Sequence, residues 1–116
     1  MSYLTKYSLV AYTDASNIKS IWEDVCKLYA GLFEEDTPDN DVNPYVISVV
    51  GSGAVKWYDH GIDMTKLSEK YPTVKFELHG EGEVQGDVWK KIFLGGKMKY
   101  LLVELVWPDE DSVEWV

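Results

Sequence analysis

The chain has 116 residues, the size of one ordinary domain, and 46% of them are hydrophobic. It is too apolar to be disordered, and its apolar runs are far shorter than the roughly 20 residues of a membrane-spanning helix. The formal net charge is −9 and arginine, the best residue for bidentate phosphate and base contacts, is absent. We therefore expect a folded cytoplasmic protein that binds neither membranes nor nucleic acid.

The excess negative charge is confined to two short segments. EEDTPDND, residues 34–41, holds five acids, and PDEDSVEWV, residues 108–116, holds four. Acids and lysines balance in the remainder of the chain. We expect a single domain over residues 1–107, followed by an acidic C-terminal tail over residues 108–116.

The first half of the chain predicts a strand, a helix and a second strand. KYSLVAY, residues 6–12, is rich in aromatic and β-branched residues and reads as a strand. Asp14 then occupies a typical helix N-cap position, and Gly31 ends the helix. The apolar stripe of this helix has steps of three and four and consists of Ile18, Ile21, Trp22, Val25, Leu28, Tyr29 and Leu32. YVISVVG, residues 45–51, is apolar enough for a covered strand.

The second half predicts one further helix and several strands. The helix, DMTKLSEKYP over residues 63–72, begins at an N-cap Asp63 and ends at Pro72. Extended patterns predict strands at AVKWYD (54–59), TVKFELH (73–79), VWKKIFL (88–94) and KMKYLLVELVW (97–107). Gly95 and Gly96 join the last two as a hairpin, because a two-residue turn requires positive φ angles.

This order of elements predicts an α+β domain in which two helices pack on one face of an antiparallel sheet. Each alternating strand needs one covered face, and two amphipathic helices provide that cover. The split βαβ, ferredoxin-like arrangement is the first expectation, and another α+β grouping of the helices is the alternative.

Roughly residues 56–97 resemble a pattern found in small uncharacterised bacteriophage and prophage proteins. The pattern consists of Lys-Trp-Tyr, an Asp-Met helix start, Ser then Tyr-Pro, an alternating strand, Gly-Glu-Gly-Glu, Gly-Asp-x-Trp and Gly-Lys. A helix that ends in Tyr-Pro and leads into a strand is also distantly similar to the ferredoxin-like domain of YubB-type plasmid and phage proteins. The resemblance implies a phage or mobile-element setting in a bacterial host cell and an α+β fold, and it brings no catalytic residue.

HGEGEVQGD, residues 79–87, is the first candidate site. Glu81, Glu83 and Asp87 could offer oxygen ligands to a hard cation, and His79 could act as a general base. The spacing matches no calcium loop, however, and no nucleophile stands at a motif spacing. We therefore expect a connection between two strands, with no metal, cofactor or catalytic residue.

Two other groups of residues have functional alternatives. His60 lies between Asp59 and Asp63, where a histidine in a turn is the simpler interpretation. A basic patch with aromatic neighbours is predicted on the final hairpin and consists of Lys90, Lys91, Lys97 and Lys99 beside Trp89 and Tyr100. Such a patch could bind a single nucleic-acid strand, but the missing arginines favour the protection of an edge strand against aggregation.

The tryptophans divide between core and tail. Trp22 and Trp107 are predicted to face inward, whereas Trp115 lies in the acidic tail, where it either anchors a partner or folds back. The predicted partner contacts are Glu34, Glu35, Asp36, Asp39, Asp41, Asp109, Glu110, Asp111, Glu114 and Trp115.

The sequence thus favours a small acidic accessory protein of phage or prophage type that binds a host or phage protein and is not an enzyme. Acidic segments would steer it toward a basic surface. A sharper form is inhibition of a host defence protein by imitation of phosphate charge, which requires both acidic segments on one face. A structural or assembly component of a virion is the alternative, and an enzyme or a cation-binding protein is less favoured.

Overall fold

The computed structural model describes residues 3–13, 18–29, 31–33, 46–104 and 106–116. Its elements are β1 (Thr5–Tyr12), α1 (Ile18–Cys26), β2 (Val46–Val50), α2 (His60–Lys70), β3 (Lys75–Gly82), β4 (Val88–Leu94), β5 (Lys97–Leu102) and a 3-10 helix over Glu110–Ser112. The strands form one antiparallel sheet in the order β2-β1-β3-β4-β5. The predicted α+β class is confirmed. No helix in the described part of the chain is long and apolar enough to cross a membrane.

Both α-helices contribute to one core on the same face of the sheet. Alternate residues of β1 point toward this core, as a strand with one covered face requires. The helices add side chains spaced three or four residues apart. The buried hydrophobic residues of these three elements are Tyr7, Leu9, Ala11, Ile18, Ile21, Val25, Met64 and Leu67. The face of the sheet turned away from α1 and α2 is called the outer face below.

The ferredoxin-like arrangement is not confirmed. Its element order is βαββαβ, whereas this chain has the order βαβαβββ. α1 joins two strands, β1 and β2, that are adjacent and antiparallel. β3 is also antiparallel to β1 and lies on its other side. A split βαβ unit is therefore formed by β2, α2 and β3, with β1 inserted between its strands.

α1 is shorter than its apolar stripe predicts. It ends at Cys26, and Leu28 follows in a turn in which its N–H donates to the Val25 carbonyl at 3.2 Å. Leu32 is nevertheless buried in the core. Successive turns can bury residues at the same spacing as a longer helix. The apolar spacing of three and four residues therefore continues after the helix has ended at Cys26. The predicted N-cap, Asp14, lies outside the described residues.

α2 begins earlier than predicted, at His60, and ends at Lys70, close to the predicted Pro72. Asp63 therefore lies in the first turn and is not the N-cap. Its carboxylate instead accepts a hydrogen bond from Trp57 Nε1 at 2.7 Å, which fixes the buried indole under the start of the helix.

The connections around the strands agree in part with the sequence. The predicted strand over residues 54–59 is reduced to one bridge, between Val55 and Thr5. The β4–β5 hairpin is confirmed, and Gly95 and Gly96 have φ angles of 58° and 80°, as its two-residue turn requires. β5 ends at Leu102 and does not continue to residue 107.

Candidate functional site

The glycine-rich stretch over residues 79–87 completes β3 and connects it to β4, as predicted. A tight turn closes the connection, because the Asp87 N–H donates to the Val84 carbonyl at 3.0 Å. Gly86 lies inside this turn with a φ of 86°, a conformation that a glycine adopts without steric cost. The glycines thus serve the backbone of a hairpin.

The carboxylates of this stretch do not converge on one point. Asp87 accepts a hydrogen bond from the Tyr3 hydroxyl, and this bond raises the pKa of Tyr3. Glu83 accepts from the Leu4 N–H at 3.1 Å, whereas Glu81 is exposed. Among the described residues, no group of three or more histidine, cysteine, aspartate or glutamate side chains is placed to hold a metal ion.

His60 packs into a cluster of aromatic rings on the helix-covered side of the sheet. Its ring stacks on Trp89, with ring centroids 5.0 Å apart and planes inclined by 20°. Nδ1 donates to the Trp57 carbonyl at 2.8 Å, and Nε2 accepts from Lys91 Nζ at 2.7 Å. Burial lowers the pKa of His60, and the adjacent Lys91 ammonium lowers it further.

Lys91 completes the cluster from β4. Its Nζ lies 4.9 Å from the Trp89 ring centroid and 5.0 Å from that of Tyr100, within the range of a cation–π contact. Burial lowers the pKa of Lys91. Both ring nitrogens of His60 have partners, which favours a structural role for the cluster. The sequence gives no signal that connects His60 with Lys91, because the two residues lie 31 positions apart. The fold brings them into contact by placing β4 beside the start of α2.

The predicted basic patch on the hairpin is divided between two faces of the sheet. Lys91 pairs with Tyr100 and points toward the helices, whereas Lys90, Lys97 and Lys99 point to the outer face. Successive residues of a strand face opposite sides, so neighbouring lysines of β4 cannot share a surface. The prediction of one continuous patch was wrong in this respect.

The outer face carries a groove of about 490 Å³ near the β4–β5 turn. Its lining residues are Ile92, Leu94, Met98, Lys75, Lys97 and Lys99. Met98 alternates with Lys97 and Lys99 and points to the helix-covered side, so Ile92 and Leu94 supply the apolar side chains of the outer face. Lys75 already pairs with Glu77 at 3.2 Å. Within the described part of the chain, no carboxylate lies in ion-pair distance of Lys97 or Lys99. The groove therefore combines apolar side chains with two lysines, Lys97 and Lys99, that have no carboxylate partner among the described residues.

β5 forms one edge of the sheet, and every one of its residues is exposed. Met98, Tyr100 and Leu102 point to the helix-covered side and are 48%, 52% and 61% exposed. Leu101 points to the outer face and is 43% exposed. β5 thus presents an apolar surface next to an unpaired backbone edge, as far as the described residues extend.

The segment after β5 continues this exposed surface. Trp107, predicted to face inward, is 90% exposed, because β5 ends before reaching it. Trp115 is 96% exposed and does not fold back onto the domain. The acids of the tail are likewise exposed, and Asp109 accepts a hydrogen bond from the Asp111 N–H at 3.1 Å. The other five predicted contacts, Glu34, Glu35, Asp36, Asp39 and Asp41, lie outside the described residues.

No protein-family model matches the chain, and neither a curated protein nor a solved structure shows significant similarity to it. The resemblance to phage and prophage proteins therefore stays a prediction.

Proposed function

We propose that this chain acts by binding another protein through the β5 edge and the segment that follows it. The observation that carries the proposal is that every residue of β5 is exposed. Edge strands are normally protected by charge, proline or short length, because their unpaired backbone groups accept another strand. In β5 the lysines stand only at positions 97 and 99, and the second half of the strand, Tyr100, Leu101 and Leu102, carries no charged residue.

The apolar surface extends beyond the strand itself. Val103 and Val106 are exposed like Trp107, so apolar side chains continue for several residues after Leu102. Single exposed hydrophobic residues are common, but a contiguous patch of them marks an interaction site. Tryptophan is also enriched among the residues that dominate binding energy. Trp107 is therefore the proposed anchor for the partner.

The charge of the tail indicates the kind of partner. Four acids between residues 109 and 114 would attract a basic surface and raise the rate of association. We propose an accessory protein of phage or prophage type whose partner is a host or phage protein with such a surface. Inhibition of a host defence protein is the sharper form of this proposal. The exposed edge also favours a second candidate, an assembly component whose copies pair with one another.

The test uses a purified partner. Proteins retained from a bacterial host lysate on the immobilised chain supply candidates, and each candidate is then titrated against the chain by calorimetry. Leu102→Lys and Trp107→Ala are expected to weaken binding by about tenfold or more, because they remove apolar contact area at the centre of the surface. Ile62→Lys is the matched control, since Ile62 is 58% exposed on α2, outside this surface. Unchanged affinity in the first two variants, or equal loss in the control, contradicts the proposal.

A further inference from the structure

We infer that one partner of this surface is a second copy of the chain, which places its acidic tail in the groove on the outer face. The inference rests on the proposed function, because it uses the same β5 edge. It adds the identity of the partner and a second contact, between residues 108–116 of one copy and Lys97 and Lys99 of the other. The β5–β5 contact and the tail–groove contact are linked, because the relative direction of the two β5 strands decides where each tail leaves the sheet.

Two β5 edges can pair across a twofold axis only in an antiparallel manner, and such pairing makes one continuous sheet from two copies. An antiparallel pair also brings the apolar rows of the two strands together on the helix-covered side. Parallel pairing would instead place Lys97 and Lys99 of one copy beside the same residues of the other. Both the symmetry and the charges therefore favour the antiparallel form.

Antiparallel pairing delivers the tail to the groove. Each β5 then begins beside the end of the other, so the residues after Leu102 of one copy leave the sheet next to Lys97 of its partner. Lys97 lies at the groove, close to the β4–β5 turn. The tail does not need to cross the sheet to reach this groove. Its own groove lies toward the other end of β5, where Lys97 is about 17 Å from Leu102 along the strand.

The groove and the tail are complementary in charge and in polarity. The groove offers Lys97 and Lys99, which have no carboxylate partner among the described residues, beside apolar walls. The tail offers four acids and an indole, Trp115, that is almost fully exposed. The groove volume of about 490 Å³ lies within the range of pockets that bind a compact ligand. Two copies with a net charge of −9 repel each other at a distance, and this local contact offsets the repulsion where they meet.

The test measures the mass of the chain in solution by light scattering and sedimentation. At about 100 µM the chain of 13.3 kDa is expected to be a dimer. The groove variant Lys97→Glu with Lys99→Glu, and the tail variant Asp111→Lys with Glu114→Lys, should each raise the dimer dissociation constant by about tenfold or more. An equimolar mixture of these two variants should dimerise again, because one groove–tail contact of the heterodimer is then the wild-type contact, and in the other the introduced lysines of the tail face the introduced glutamates of the groove.

A matched control separates this contact from the overall change of charge. Lys56→Glu with Lys66→Glu alters the net charge by the same amount as the groove variant, at two exposed lysines outside the groove, and should leave the dimer intact. Restoration in the mixture supports the inference, since a misfolded variant cannot produce it. A wild-type chain that stays monomeric overturns the inference. That result does not contradict the proposed binding of other proteins, which the calorimetric titration tests separately. The inference is also overturned if neither charge-reversal variant raises the dimer dissociation constant, or if the mixture of the two variants stays monomeric.

Discussion

Replacing Gly80 with alanine is expected to destabilise the domain through Trp89. Gly80 lies directly opposite Trp89 in the β3–β4 pair. A Cβ atom at position 80 would overlap the six-membered ring of the Trp89 indole, so the ring or the strand must move. The ring cannot move freely, because it is only 7% exposed and contacts His60 on one face. Tyr7 and Tyr100 lie against it in edge-on contacts.

The expected cost follows from this confinement. Overpacking a core costs about 1–3 kcal/mol, and a ring held on several sides favours the upper half of that range. An unfolding entropy of about 2.1 cal/mol/K per residue gives roughly 0.24 kcal/mol/K for 116 residues. A loss of about 2–3 kcal/mol in the free energy of unfolding therefore lowers the Tm by about 8–12 °C.

The assay is thermal and urea unfolding followed by circular dichroism, with two glycine controls. A Cβ at Gly53 or Gly61 meets no atom within 4 Å, so alanine at either position avoids a clash. Gly61 lies in α2, where alanine should raise stability by about 0.5–1 kcal/mol. Gly80→Ala should also cost much less in a Trp89→Leu background, where the overlapping ring is gone. A Gly80→Ala variant within about 0.5 kcal/mol of the wild type would refute the reasoning.

Two further predictions concern His60 and the acids of the β3–β4 connection. The folded chain holds the pKa of His60 below its ordinary value of 6.5, so its contribution to stability is complete above that pH and is lost as the pH falls below it. The free energy of unfolding should therefore fall more steeply below about pH 6.5 in the wild type than in His60→Gln, and equal slopes in the two would contradict this. Millimolar Ca²⁺ or Mg²⁺ should leave the Tm unchanged, because Glu81, Glu83 and Asp87 do not converge. A rise of several degrees in the Tm that is lost when these three residues are replaced with Gln or Asn would instead support a cation site.

The sequence predicted the features that depend on neighbouring residues. The β4–β5 hairpin follows from two glycines between alternating strands, and both glycines have the required positive φ. β3 and the inward side chains Phe76 and Leu78 follow from simple alternation. These features need only local turn chemistry and a period of two, which are written in consecutive residues.

The features that were missed depend on tertiary geometry. The end of α1 could not be read from the apolar stripe, because turns after Cys26 bury residues at the same spacing. The strand pattern predicts an inward Trp107, but β5 stops at Leu102 and Trp107 is exposed. The contact between His60 and Lys91 requires the register of β4 and the position of α2 together. No pattern within either segment encodes such a contact.

The interior position of β1, between β2 and β3, constrains the order in which the chain can fold. β1 is synthesised first, yet it pairs with β2 on one side and with β3, Lys75–Gly82, on the other. Its ladder therefore stays incomplete on the ribosome until most of the chain has emerged, and refolding in solution must close the same long loops. The β4–β5 hairpin closes over a few residues and can form within microseconds. Folding is thus expected to begin at the last strands and to finish around the first, so chains truncated before β3 should aggregate.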